Sequence, residues 1–176
     1  MEKKKKRTTK TLVLLGSTGA GKSETANTLA GKPNLFKSSG GLESFTKETC
    51  VKLAHWFGER SQAEIEIIDT PGLGDSNGDD KKNISDMVDE LKDNVRYVNT
   101  FVLVLNAHSP KIDSHMKKML KLFTAIFSEM MWKNTIVVFT HWRYDRQSYS
   151  KREANGETAE GKTAELNELL RSKFEL

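Results

Sequence analysis

The segment G-S-T-G-A-G-K-S at residues 16–23 follows directly on the apolar run T-L-V-L-L at residues 11–15. It fits the pattern G-x-x-x-x-G-K-[S/T], which is typical of loops that bind the phosphates of a nucleoside triphosphate. Such a loop turns its backbone N–H groups inward, and glycine reaches the required backbone angles without a steric cost. The helix-compatible residues 22–30 come next, so that a helix N-terminus points at the phosphates. The segment therefore predicts a phosphate-binding loop, in which Lys22 contacts the β- and γ-phosphates and Ser23 ligates Mg²⁺.

The composition is that of one soluble globular domain. The chain has 176 residues, of which 36% are hydrophobic and 30% charged. Its single cysteine, Cys50, excludes an internal disulfide and fits a reducing compartment. No segment approaches the roughly 20 apolar residues of a membrane span, and no signal peptide opens the chain. We therefore expect a cytoplasmic protein.

The positive charge is concentrated at the N-terminus. The formal net charge is +4, and residues 1–7 carry all of it, so that residues 8–176 are neutral overall. A nucleic-acid-binding domain carries its positive charge on the fold itself, so we expect no nucleic-acid partner. We interpret residues 1–8 as a disordered basic tail. Weak contact with an anionic membrane surface and a localisation signal are the alternatives.

Strand-like and helix-like segments alternate along residues 9–176, which indicates an α/β domain with a largely parallel sheet. The predicted strands are residues 9–15, 48–56, 63–68, 101–105 and 135–139. The predicted helices are residues 22–30, 84–95, 116–127 and 163–174. Residues 31–45 and 69–82 are rich in glycine and polar residues and are predicted to be loops. Residues 143–156 are polar and receive no predicted element.

A second motif, D-T-P-G at residues 69–72, follows the predicted strand at 63–68. There Asp69 would hold Mg²⁺ through water, and the Gly72 N–H would contact the γ-phosphate. A simple strand-ending turn is the alternative. A nucleotide switch also needs a threonine from the preceding loop, and Thr46 and Thr49 both qualify. We prefer Thr46, since Thr49 should already lie in the strand.

These segments together resemble the GIMAP-type, or immunity-associated, GTPases of the septin-like branch of P-loop GTPases, and more distantly the chloroplast outer-envelope import GTPases. The resemblance covers about residues 10–145 and is very close over residues 16–31. The segment S-F-T-K-E-T-C at residues 44–50 is similar to the family's S-x-T-K-T-C, which again favours Thr46. The resemblance implies a three-layer P-loop GTPase fold, with helices on both faces of a mostly parallel sheet. It also implies GTP or GDP as the ligand, with Mg²⁺.

Base recognition departs from the N-K-x-D pattern of Ras-type GTPases. The predicted fifth strand continues as V-F-T-H-W-R-Y-D at residues 138–145. The GIMAP-type and import GTPases begin this motif with Thr-Arg or Thr-His, and Thr140 and His141 are similar to that start. His141 or Trp142 would stack on the base or hydrogen-bond with it.

The aspartate expected at position 143 is replaced by arginine, and Asp145 would reach the guanine edge if the loop is longer. Guanine specificity is therefore implied by the resemblance. The residues expected to bind the nucleotide are Ser17, Thr18, Gly19, Ala20, Gly21, Lys22, Ser23, Glu24, Thr46, Gly72, Thr140, His141 and Asp145. Those expected to hold Mg²⁺ are Ser23, Thr46 and Asp69.

Leu73 stands where Ras-type enzymes place the glutamine that orients the attacking water. Because an apolar side chain cannot orient water, we expect slow GTP hydrolysis. By resemblance, a homodimer across the nucleotide face supplies what is missing. No catalytic residue is assigned, and Thr46 and Gly72 are the switch candidates. The alternatives are a GTP-loaded assembly module with negligible hydrolysis and a P-loop ATPase.

The family's fold continues with a last strand, which carries a base-contacting loop, and a closing helix. Nothing remains for them after the helix predicted at 163–174. We therefore expect residues 9–176 to form a G domain that is incomplete at its C-terminus. The strand at 135–139 would then lie at an unprotected sheet edge. In the full-length protein, location at membrane surfaces is a further expectation of the resemblance.

Overall fold

The computed structural model describes residues 9–37, 49–72, 85, 87–89, 97–108 and 114–174. The chain divides into two compact units, one ending at Thr140 and the other beginning at His141. The tail predicted at residues 1–8 lies outside the described residues, as do Thr46 and Leu73.

One mixed sheet forms the centre of the first unit. Its strands are β1 (Lys10–Leu15), β2 (Cys50–His55), β3 (Glu64–Asp69), β4 (Thr100–Asn106) and β5 (Thr135–Thr140). They lie in the order β2-β3-β1-β4-β5. β1 pairs in parallel with β3 and β4, and β4 pairs in parallel with β5. Of these five described strands, β2 alone runs antiparallel, to β3. The predicted mostly parallel α/β sheet is confirmed, and β5 is its outermost strand on one side among the described residues.

Three helices of the first unit are described over their length: α1 (Lys22–Ala30), α2 (Ser114–Phe127) and the single turn α3 (Met130–Lys133). Residues 85 and 87–89 are also helical and fall within the helix predicted at 84–95. Predicted and observed bounds agree for α1 and differ by two residues at the start of α2.

Different helices cover the two faces of the sheet. Successive residues of a strand point to opposite faces. In β4, Val104 belongs to the buried cluster that contains Ala26 of α1. Phe101, three residues earlier in the same strand, faces the other way and packs edge-on against Phe123 and Phe127 of α2, with ring centroids 6.1 and 5.1 Å apart. The helix–sheet–helix layering confirms the predicted three-layer fold.

The topology decides where a ligand site forms. Parallel strands present their carboxyl ends at one edge of the sheet, and β1 lies between β3 and β4. The connections after β1 and β3 therefore leave from adjacent strands at this edge, the usual place for a ligand crevice in an open α/β sheet. The phosphate-loop segment follows β1, and the D-T-P-G segment begins at the end of β3.

Two hydrogen bonds join Asn27 of α1 to the backbone of Phe36, in the chain that follows the helix. This side chain is buried, its amide nitrogen donates to the Phe36 carbonyl at 2.9 Å, and its amide oxygen accepts from the Phe36 N–H at 2.8 Å. A buried amide left without partners is costly, so the pair holds Phe36 in place. The two bonds hold the chain at Phe36, one residue before the described segment ends.

The second unit contains α4 (Arg146–Ala154) and α5 (Ala159–Phe174). α5 begins four residues before its predicted start at Thr163. α4 lies within the polar segment for which the sequence predicted no element. It carries no buried residue, and the Asp145 side chain caps its first turn. The helix is thus marked by its cap and not by an apolar stripe.

Within the described ranges, no helix combines the length and the apolar character that crossing a bilayer requires.

Candidate nucleotide-binding site

Residues 16–21 connect β1 to α1 as a tight loop. The Ala20 N–H donates to the Ser17 carbonyl at 3.2 Å, which closes a turn. Gly19 and Gly21 have φ values of +71° and +90°, in the left-handed region that side chains disfavour. Gly21 is also the N-cap of α1. The loop therefore delivers the chain to a helix N-terminus, which attracts anions.

The Lys22 side chain folds back over this loop and places its ammonium group at the start of the loop. Its side chain is buried, and its Nζ donates to the carbonyls of Gly16 and Ser17 at 3.0 and 3.1 Å. A buried ammonium needs such partners, because its desolvation is otherwise very costly. Glu24 lies in the first turn of the same helix. These contacts hold the Lys22 ammonium group at the loop, where it could bind a phosphate.

Ser23 and Asp69 are joined although they come from different motifs. The Ser23 hydroxyl donates to Asp69 Oδ2 at 2.6 Å. Asp69, the last residue of β3, is 1% exposed, and among the described residues its Oδ1 finds no hydrogen-bond partner. Burial raises the pKa of Asp69 above its ordinary value, against the hydrogen bond from Ser23 and the charge of Lys22, which lower it. A buried carboxylate oxygen in need of a partner therefore points to a cation site.

The donor set fits Mg²⁺. Mg²⁺ prefers oxygen ligands and is commonly held by one or two carboxylates together with water and substrate phosphates. Ser23 and Asp69 supply a hydroxyl and a carboxylate of this kind. Across the parts of the chain that the structure describes, no cluster of three or more His, Cys, Asp or Glu side chains forms a metal site of its own. Thr46, the third predicted ligand, lies outside those parts.

The D-T-P-G segment is attached to both β1 and the phosphate loop. The buried Thr70 hydroxyl donates to the Leu14 carbonyl of β1 at 2.6 Å. Gly72 packs directly on Thr18. A Cβ atom at position 72 would lie 2.5 Å from Thr18 Cα and 2.8 Å from Thr18 N, closer than real contacts allow. The structure therefore brings the predicted Gly72 and Thr18 together, and only glycine fits there.

Thr140 contacts the phosphate loop. Its hydroxyl donates to the Ala20 carbonyl at 2.6 Å and lies 3.2 Å from the Leu105 carbonyl. Its methyl group lies against Gly21, where an added Cβ would come within 3.2 Å of Thr140 Cγ2. The sequence placed Thr140 among the expected nucleotide-binding residues, at the start of the base-recognition motif, and in the structure its contacts are with residues 20 and 21 of the phosphate loop.

The other residues predicted near the base belong to the second unit. His141 has a φ of +58°, an uncommon conformation for a residue with a side chain. The Asp145 carboxylate accepts from the Ser148 N–H at 2.9 Å and from its hydroxyl at 2.7 Å, and these bonds lower the pKa of Asp145. The Arg152 guanidinium lies 4.5 Å above the Trp142 ring. The Trp142 ring and the Asp145 carboxylate thus both have partners within their own unit.

Two contributors to this region were not predicted. Thr70 stands inside the quoted D-T-P-G motif, but a motif does not reveal the carbonyl to which its hydroxyl donates. Asn27 is a polar residue within α1, and no sequence signal indicated that the fold buries it. A buried asparagine in a helix usually means that its amide has a specific partner.

Comparison with known proteins identifies the relatives of this chain. The sequence model of the AIG1 family matches residues 10–151. Immune-associated nucleotide-binding protein 10 from Arabidopsis thaliana is 34% identical over 133 residues, which cover 74% of this chain and 27% of that protein. The chain spans at most 40% of the length of the curated relatives it matches. These matches confirm the GIMAP-type resemblance.

Solved structures agree on the fold. Toc33 from Arabidopsis thaliana, in complex with Mg²⁺ and GMPPNP, has a TM-score of 0.67 at 23% identity, covering 96% of this chain and 64% of that one. A structure of the chloroplast translocon components atToc33 and psToc159, for which dimerisation is important for the GTPase activity, has a TM-score of 0.62 at 24% identity. That match covers 77% of this chain and 51% of the other. At these identities the likeness shows the P-loop GTPase fold.

Proposed function

The chain belongs to the AIG1 family, and on this premise we propose that it is a guanine-nucleotide-binding switch. It binds GTP with Mg²⁺ and hydrolyses it slowly to GDP and phosphate, under the control of nucleotide-dependent dimerisation. The observation that carries the proposal is the hydrogen bond between Ser23 and Asp69. This bond unites the phosphate loop with the D-T-P-G segment, as a shared site for Mg²⁺ and a triphosphate requires.

Each residue of the proposed site has its own role in binding the phosphates or Mg²⁺. Lys22 places a buried cation at the loop, and α1 adds its N-terminal dipole. Ser23 and Asp69, with Thr46 as the proposed third ligand, would hold Mg²⁺, which neutralises phosphate oxygen charge when bound. Gly72 lies against Thr18, so that a γ-phosphate arriving at the loop would meet the D-T-P-G backbone. The group that senses the γ-phosphate is thus the Gly72 N–H.

The guanine assignment rests on the family. A curated relative is named an immune-associated nucleotide-binding protein, and the structurally similar Toc33 was solved with Mg²⁺ and GMPPNP. His141 and Asp145 remain the proposed base-contacting residues. For Asp145 this role requires that guanine compete with Ser148 for the carboxylate. We further propose a cytoplasmic location, with residues 1–8 as a disordered basic tail and weak contact of that tail with an anionic membrane surface as the alternative.

Slow hydrolysis follows from Leu73, which replaces the water-orienting glutamine. A second subunit across the nucleotide face would complete the site. The importance of dimerisation for the GTPase activity of atToc33 and psToc159 supports this arrangement in similar proteins.

Single-turnover GTP hydrolysis, measured over a range of protein concentrations, tests the proposal. The rate per molecule should rise with concentration in the wild type. Lys22→Ala, which removes the phosphate-binding cation, should show only the background rate. A flat rate near background in the wild type would refute hydrolysis controlled by dimerisation and favour the GTP-loaded assembly module. Competition between GTP and ATP tests the base, and tighter binding of ATP would overturn the guanine assignment.

A further inference from the structure

We propose that Thr140 positions the phosphate loop and does not read the base. The inference rests on the proposed function, because it takes residues 16–23 to bind the nucleotide phosphates. It assigns Thr140 a role that its place in the sequence, beside the base-recognition segment, does not suggest.

Thr140 sets the direction of one peptide group in the loop. The Thr140 hydroxyl donates to the Ala20 carbonyl at 2.6 Å, across 120 residues of sequence. The peptide bond between Ala20 and Gly21 is trans, so the Ala20 C=O and the Gly21 N–H point in opposite directions. Holding the carbonyl outward, toward β5, therefore turns the Gly21 N–H inward. An inward N–H at this position is what a phosphate-binding loop supplies to its ligand.

Thr140 is itself held in place by the sheet. It ends β5 opposite Asn106 of β4, and its carbonyl accepts from the Ala107 N–H at 3.0 Å. Its hydroxyl also lies 3.2 Å from the Leu105 carbonyl. The parallel pairing of β4 and β5 thus fixes the backbone from which the hydroxyl reaches the loop.

The shape of the Thr140 side chain also fits the loop. Its methyl group lies where a Cβ on Gly21 would approach it to 3.2 Å, so the side chain supports the loop with its carbon as well as its oxygen. Valine would keep this contact and lose only the O–H donor, whereas serine would keep the donor and lose the methyl group. The two substitutions therefore separate the hydrogen bond from the packing.

The two roles predict different nucleotide selectivity. A residue that reads the base changes the ratio of the GDP and ADP affinities when it is removed. Removing a residue that positions the phosphate loop lowers the affinity for both nucleotides by the same factor, since both carry the same diphosphate. The loss of one hydrogen bond corresponds to a reduction in affinity of about 3- to 10-fold.

The experiment measures GDP and ADP affinities, with Mg²⁺, for wild type, Thr140→Val, Thr140→Ser and Thr135→Val. Thr135 begins the same strand, and its hydroxyl donates to the Met131 carbonyl at 2.8 Å, so Thr135→Val removes an equivalent bond away from the loop. We expect Thr140→Val to lower the affinities for GDP and ADP about 3- to 10-fold each and to leave the ratio of the two affinities unchanged. Thr140→Ser should recover most of the affinity, and Thr135→Val should match the wild type.

Amide hydrogen exchange of residues 16–23 in the nucleotide-free protein tests the contact without a ligand. Exchange should be faster in Thr140→Val and close to wild type in Thr140→Ser and Thr135→Val. A changed GDP-to-ADP ratio in Thr140→Val, or unchanged affinity and exchange, would overturn the assignment. Wild-type protein that binds no GDP would instead refute the proposed function, while the exchange experiment still decides whether Thr140 orders the loop.

Discussion

The Ser23 hydroxyl and the Asp69 carboxylate, 46 residues apart in sequence, are joined by a 2.6 Å hydrogen bond. Ser23 lies in the first turn of α1, and Asp69 ends β3. Their meeting follows from the topology, because β3 pairs in parallel with β1 and the phosphate loop leaves from the carboxyl end of β1. Leu14 of β1 stands directly opposite Asp69 in this pairing. The strand register thus brings the two predicted Mg²⁺ ligands together.

Replacing Asp69 by asparagine should remove the Mg²⁺ dependence of nucleotide binding. The amide keeps the size of the side chain but lacks the charge that a hard cation requires. We expect the factor by which Mg²⁺ strengthens GDP binding to fall about 10-fold or more. Titration of GDP with and without Mg²⁺ measures it, and Glu64→Gln, at the other end of β3, is the control. A variant with the Mg²⁺ dependence of the wild type would exclude Asp69 from the site.

The same substitution should stabilise the protein when nucleotide and metal are absent. Burial raises the pKa of Asp69 in the folded state. A group whose pKa is raised in the folded state contributes to stability while it is protonated. This contribution is complete below the pKa of the unfolded state and is lost as the pH rises through the pKa of the folded state. At neutral pH the cost of ionising this buried carboxyl group therefore lowers the free energy of unfolding, and Asp69→Asn should raise it. Urea unfolding checks this, and the difference between variant and wild type should shrink at acidic pH. An Asp69→Asn protein less stable than wild type at neutral pH would contradict the expectation.

Gly72→Ala should disturb the phosphate loop. The new methyl group would lie 2.5 Å from Thr18 Cα, and backbone atoms cannot give way as a flexible side chain can. Overpacking of this kind lowers the free energy of unfolding by about 1–3 kcal/mol. Chemical denaturation and GDP affinity measure the effect. Gly161→Ala in α5 is the control, since its Cβ would meet only the Thr158 side-chain oxygen, at 3.2 Å. If Gly72→Ala matched Gly161→Ala in both measurements, the close packing of Gly72 on Thr18 would be wrong.

Asp145 should titrate below the ordinary range for an aspartate. The Ser148 N–H and hydroxyl both donate to its carboxylate, which favours the ionised form and lowers its pKa. A lowered pKa stabilises α4 above the unfolded pKa, and this contribution is lost as the pH falls through the folded pKa. Carboxyl NMR titration should show the lowered pKa in the wild type and an upward shift in Ser148→Ala, with Ser150→Ala as control. An ordinary pKa in the wild type would show that the cap does not form in solution.

Much of the fold was predictable from local pattern. The apolar run before a glycine-rich loop and the alternation of strands and helices sufficed for β1, α1 and the parallel sheet. α4 was missed because helices are predicted from apolar periodicity, and this one buries no residue. Its only signal was Asp145 three residues before Ser148, a pattern too common to predict a helix by itself.

The site was predictable in its residues more than in their contacts. Lys22, Ser23 and Asp69 belong to motifs whose chemistry constrains the residue type. Thr140 was singled out because Thr140 and His141 resemble the family's motif, yet the target of the Thr140 hydroxyl depends on the pairing of β4 with β5 and on the path of the phosphate loop. Such contacts join distant parts of the chain, and no local pattern encodes them.

Residues 16–23 are proposed to hold the phosphates of a guanine nucleotide. Calorimetric titration of GTP with Mg²⁺ into wild type, Lys22→Ala and Lys32→Ala tests this proposal most directly, since Lys32 is an exposed lysine just after α1. Wild type and Lys32→Ala should bind alike, and Lys22→Ala should lose affinity by about 100-fold or more, because its hydrogen bonds to phosphate are charge-assisted. Equal GTP affinity in wild type and a folded Lys22→Ala protein would show that residues 16–23 do not bind the phosphates.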